Sequence, residues 1–168
     1  MKKIITVTLI CLLLCSCKVT KHKSEDNPDD KYLNMLDAVS NRDILLFGTQ
    51  SNYFDLTFEV TKTLDGYRYY IIVDNPRYAM YGVSLIGVED GLESYDTIAA
   101  NAGIFEETTY NLVPGQTNIN AGYAGGITIS GLSKSENAPM IRLLVQWHSK
   151  NQEVHQEFIY HDFNEEDA

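Results

Sequence analysis

Phe54-Asp55-Leu56-Thr57-Phe58-Glu59-Val60-Thr61 alternates apolar and polar side chains without interruption, and that period of two decides the fold class. Successive side chains of a strand point to opposite faces, so one face of this segment is buried and the other is wet. Asp65-Gly66 follows, a dipeptide suited to the positive φ angles of a two-residue hairpin turn. With those two residues at the turn, Leu64 faces Tyr67, Lys62 faces Tyr69, Val60 faces Ile71 and Phe58 faces Val73. The apolar faces of the two strands then coincide.

The same signal recurs along the chain. Residues 81–88 read as a strand closed by Asp90-Gly91, residues 108–113 as another before Pro114-Gly115, and residues 123–132 as a third. The interval 92–107 is the least regular and reads as a long connection. Ile141, Leu143, Val145 and Trp147 alternate with Arg142, Leu144, Gln146 and His148, and residues 153–161 form the returning strand. A turn centred on Lys150-Asn151 sets Trp147 opposite Val154, Leu143 opposite Phe158 and Ile141 opposite Tyr160, again on one face. Upstream, Leu33, Leu36 and Val39 predict a short helix over 31–40. About seven short strands and no long amphipathic helix describe an all-β, antiparallel, immunoglobulin-like β-sandwich with a short N-terminal helix, the alternative being a small closed barrel. By this pattern residues 31–168 are a single domain ending in an acidic C-terminal tail. It resembles the immunoglobulin-like modules found in bacterial surface lipoproteins.

The N-terminus carries an address. Lys2 and Lys3 precede an uncharged stretch, 4–14, in which Thr6 and Thr8 are the only polar side chains, the pattern of a secretory signal. The apolar run is shorter than the roughly 20 residues a spanning helix needs. Leu14-Cys15-Ser16-Cys17 closes it and resembles the lipobox of bacterial lipoproteins, in which a leucine, two small residues and a cysteine are read by a lipid-transferring enzyme and a dedicated signal peptidase. The resemblance implies that residues 1–16 are a signal peptide and that Cys17 is the lipidation site and first residue of the mature chain. Acyl chains such as palmitate would hold the protein to the cell membrane or outer membrane, on its extracytoplasmic side. Residues 17–30, polar apart from Val19, read as a flexible tether; the acidic run Glu25-Asp26-Asn27-Pro28-Asp29-Asp30 lacks the ligand spacing and glycine of a calcium loop.

Removing sixteen of the 168 residues leaves 152, enough for one domain with a real core. All three cysteines (Cys11, Cys15, Cys17) lie in the leader region, so no disulfide forms within the mature body. The full chain has a net charge of −10; losing Lys2 and Lys3 makes it −12. Such a body excludes nucleic acid, and anionic headgroups, as partners drawn by its general field.

Nothing in the body spells catalysis. There is no Gly-x-Ser-x-Gly, no His-Glu-x-x-His and no cysteine nucleophile, so the chain is expected not to be an enzyme and to need no cofactor. His148, His155 and His161 cluster in the last hairpin, but His155 and His161 sit six positions apart on one strand, roughly 20 Å at about 3.3 Å per residue, too far for one ion. They are expected to face solvent, with no metal. Gly122-Tyr123-Ala124-Gly125-Gly126 runs into β-branched residues rather than a lysine and a helix, as a bulge or sheet edge does and a phosphate loop does not. Tyr67, Tyr69, Tyr70, Tyr78 and Tyr81 crowd one hairpin and its neighbour, and left exposed they would make a binding surface for protein or carbohydrate. The expected role is a protein-interaction or accessory module of the cell envelope. The alternative is a small-ligand carrier with a barrel cavity lined by Phe54, Phe58, Tyr69 and Trp147.

Overall fold

The computed structural model describes residues 27–91 and 98–163; the leader, Cys17, most of the tether and the acidic tail from 164 lie outside them. Helix α1 (Pro28–Ser40) opens the domain, and a 3-10 turn (Ile44–Leu46) leads into the strands. These are β1 (Asp55–Thr63), β2 (Gly66–Asp74), β3 (Met80–Glu89), β4 (Ala100–Ala102), β5 (Tyr110–Leu112), β6 (Gly126–Ser133), β7 (Met140–His148) and β8 (Val154–Asp162), with a second 3-10 turn, Ile119–Ala121, before β6. One sheet has the order β1-β2-β6 and the other β4-β3-β7-β8, with β5 also paired to β3. Every pairing between these strands is antiparallel. This order matches strands A-B-E against C′-C-F-G of an immunoglobulin-like sandwich. The two sheets stay separate and do not close into a barrel.

Period-two patterning builds the space between the sheets. Tyr67, Tyr69, Ile71 and Val73 of β2 face Leu85, Ile141, Leu143, Val145 and Trp147 in one core cluster with Phe54, Ile127 and Ile129. Phe54, Tyr69 and Trp147, proposed above to line a barrel cavity, are packed into this cluster, and Phe58 lies against it.

A second cluster forms on the outer face of the larger sheet. Tyr32, Met35, Leu36 and Val39, at helical spacing on α1, cover Ile86, Val88 and Leu144. Leu144 belongs to the polar set by alternation alone, yet it is fully buried, because β3 and β7 are covered on both faces. The helix differs from expectation at both its start and its face. Asn27 accepts a hydrogen bond from the Asp29 N–H at 3.2 Å, Pro28 occupies the first turn, and Asp29 and Asp30 meet its positive end. Asn27-Pro28-Asp29-Asp30 is therefore a helix start, not tether. Leu33, expected inside, is exposed, while Tyr32 takes its place and its hydroxyl accepts the Ala99 N–H at 2.9 Å.

Two registers also differ. In the first hairpin Thr63 pairs with Gly66, so Leu64-Asp65 forms the turn and Val60 faces Tyr69, Phe58 faces Ile71 and Leu56 faces Val73. The shift is by two residues and keeps every side chain on its expected face. Gly66 holds φ +133°, and a Cβ there would collide with the Ser133 carbonyl, so this glycine serves the approach of β6. In the last hairpin Trp147 pairs with His155, Leu143 with Ile159 and Ile141 with His161. That slip is by one residue and exchanges the faces of β8. Gln152 at φ +66° supplies the extra turn residue. His155 and His161, expected in solvent, face inward: His155 stacks on Trp147 at 5.4 Å between ring centroids and His161 on Phe58 at 4.0 Å.

Candidate functional site

Where β2 leaves the small sheet, Asn75 must turn the chain ahead of Pro76, which disfavours the helical region for its predecessor. Asn75 takes φ +44°, a left-handed conformation that asparagine tolerates better than most residues. Its Nδ2 donates to Asp55 Oδ2 at 3.2 Å, and Arg77 pairs with the other oxygen of the same carboxylate, at 2.5 Å. The Arg77 N–H donates to the Tyr53 carbonyl at 2.7 Å. The β2–β3 connection is thus tied to the entry of β1.

The segment between β5 and β6 is equally fixed. Val113 and Gln116 bracket a tight turn, and Asn118 and Tyr123 exchange two backbone hydrogen bonds of 2.9 Å around the 3-10 turn. The Asn111 N–H donates to the Gly122 carbonyl and the Ala124 N–H to the Asn111 carbonyl. Asn111 Oδ1 accepts the N–H of Gly82 at 3.0 Å, at the point where β3 slips register, so the whole excursion is pinned to an irregularity in the larger sheet.

Between these two loops lies a cleft of about 260 Å³, lined by Asn75, Pro76, Val113, Pro114, Gly115, Gln116, Thr117, Ala124 and Gly125. No lining side chain is charged. The neutrality extends well beyond the cleft: residues 108–133 contain no Asp, Glu, Lys or Arg, in a chain where 21% of residues are charged. Tyr78 (63% exposed) and Ile119 (79%) stand out of the loops on either side. Tyr78 packs at a tilt against Tyr53, which packs in the same way on Trp147, so a chain of aromatic contacts runs from the core to the surface at this end. Amide, hydroxyl and carbonyl groups beside proline and tyrosine surfaces can hydrogen-bond a neutral ligand and cover its apolar parts.

Of the five tyrosines singled out above, only Tyr78 is exposed. Tyr67 and Tyr69 point into the core, whereas Tyr70 and Tyr81 are half-buried, so the five do not form one patch. Tyr67 and Tyr69 alternate inward on β2, and Tyr70, between Tyr69 and Ile71, turns the other way. Burial, then the negative field of Glu89, pushes the Tyr69 hydroxyl up to about 12. The signal that locates the cleft is the charge-free run, which tyrosine density obscures. Among the described residues no three His, Cys, Asp or Glu side chains converge as a metal site would require.

A larger groove of about 680 Å³ lies between α1 and β7–β8, bordered by Asp30, Leu33, Met35, His148, Val154 and Gln156. Compared with protein families, curated proteins and solved structures, the chain matches none of them, so its own geometry carries the functional argument.

Proposed function

We propose that this protein is a lipid-anchored, extracytoplasmic binding module of the cell envelope, which recognises a neutral protein or carbohydrate surface through the cleft between the β2–β3 connection and the β5–β6 excursion. It works by binding, not catalysis. The lipobox-like Leu14-Cys15-Ser16-Cys17 supports the anchor. The observation that carries the recognition surface is the run of uncharged residues, 108–133, whose part between β5 and β6 folds into a hydrogen-bonded loop platform, in an otherwise strongly acidic chain. Depletion of charge with retention of tyrosine and amides is the composition of a binding surface rather than of a solubilising one.

Two measurements test this reading. Mass spectrometry of the native protein is expected to find an acylated Cys17 at the N-terminus; an unmodified thiol or an intact Met1 defeats the anchor. A photo-crosslinking amino acid at Thr117 or Tyr78 is expected to give a discrete adduct in intact cells, lost when Gln116→Arg places a charge in the cleft. Equal labelling from a crosslinker at Leu64, on the opposite end of the sandwich, would defeat the assignment of the surface.

A further inference from the structure

The side of the sandwich bounded by β8 holds aliphatic side chains in solvent. On the 3-10 turn after α1, Leu45 is 86% and Leu46 60% exposed. Leu33 and Val154 are each 58% exposed and border the groove between α1 and β8. The turn adjoins the same strand, because the Gly48 N–H donates to the Phe158 carbonyl and the Gly48 carbonyl accepts the Tyr160 N–H, both at 2.9 Å.

The leucines are held outward rather than left loose. The Asp43 carboxylate accepts the Leu45 N–H at 3.0 Å, the Asp43 carbonyl accepts the Leu46 N–H at 2.9 Å, and Phe47 turns inward against Phe158. Polar residues would satisfy those backbone bonds equally well, so the turn itself does not require leucine. An ordered turn presenting adjacent aliphatic side chains suits an apolar medium.

We propose that Leu45 and Leu46 dip into the bilayer that carries the lipid anchor, so that the domain lies with its β8 side against the membrane. This rests on the lipid-anchored reading of Cys17. Reach is sufficient: ten residues from Cys17 to Asn27 span at most about 33–36 Å, while α1, which separates Asn27 from the turn, is about 20 Å long. Tether and turn can meet one surface. The net acidic body disfavours attraction to anionic headgroups, so the contact is apolar insertion into zwitterionic lipid. Lying this way, the protein keeps the neutral cleft off the membrane, since its β5–β6 wall follows a strand paired to β3, two strands from the β8 edge, and its other wall is the β2–β3 connection.

Depth-dependent quenching tests the proposal with the full lipidated protein, purified from membranes and reconstituted on phosphatidylcholine vesicles with brominated acyl chains. Trp147, 3% exposed, is the only native tryptophan and gives a protected background. Leu45→Trp is expected to shift its emission to the blue and be strongly quenched, whereas Leu64→Trp, at the fully exposed tip of the first hairpin, is not. Leu46→Trp should repeat the Leu45→Trp result. Flotation with the vesicles but equal, weak quenching of all three overturns the insertion while leaving the anchor intact. Failure to float overturns the anchor itself, and the proposal with it.

Discussion

At the scale of single residues, the same interaction type differs in value with its surroundings. Arg142 lies half-buried under the end of α1, where its Nη1 donates to the Ser40 and Arg42 carbonyls at 3.1 and 3.2 Å, and its Nη2 pairs with Asp90 at 2.7 Å. It supplies the positive charge that the last turn of the helix lacks. Removing it takes a charged donor from the Ser40 and Arg42 carbonyls and the partner from a shielded carboxylate, so Arg142→Ala is expected to cost about 2–4 kcal/mol by urea denaturation. Arg77 and Asp55, about half exposed, form the solvent-screened counterpart, and Arg77→Ala should cost less than about 1 kcal/mol. Tyr69 gives a pH signature. Its hydroxyl ordinarily titrates near 10 and is held up to about 12 in the fold, so the native state keeps a proton that the unfolded chain releases. Stability from this group is fully present below pH 10 and is lost as the pH rises toward about 12, on the order of 2–3 kcal/mol. The raised Tyr160 acts in the same direction. Tyr69→Phe should flatten much of the alkaline limb of a stability-versus-pH curve, at some packing cost of its own.

At the scale of elements, local patterning specifies some strands and helix ends more completely than others. The β1–β2 hairpin keeps its faces despite a turn displaced by one position, because a two-residue change of register preserves alternation. β8 loses its faces to a one-residue slip. Its sequence misleads because both faces carry apolar groups: Ile159 points into the sandwich, while Phe158 on the other face is covered by Phe47 and by the Arg42 guanidinium, 3.9 Å from its ring centroid. Alternation identifies a buried face only where the other face is wet. The start of α1, by contrast, was fully written in Asn27-Pro28-Asp29-Asp30, whose acidity resembles a solvated linker unless the cap and the proline are considered together. A domain begun at Lys31 should therefore be less stable than one begun at Asn27 by about 1–2 kcal/mol, measured as the difference in denaturant midpoint multiplied by the common slope.

On the scale of the whole molecule, three layers set the division of labour. Helix α1 covers the larger sheet, that sheet packs on the smaller one, and the loops at one end are left to make the neutral cleft. Recognition through a surface without charge carries a clear expectation. Affinity for the partner should be nearly unchanged between low salt and about 0.5 M, because there is little Coulombic attraction to screen. A steep loss of affinity in salt would move the binding surface to the charged remainder of the protein.

Strand periodicity, the lack of a cysteine pair in the body, the sandwich class and the charge-free run follow from the order of residues alone, because each depends on neighbours along the chain. The packed fold was needed to show that Tyr67 and Tyr69 are core, that Leu144 is roofed by a helix, that His155 and His161 turn inward, and that residues from two separated loops share a cleft. Those outcomes depend on which faces meet across the fold, and such contacts are fixed by layers packing together rather than by spacing within any one segment.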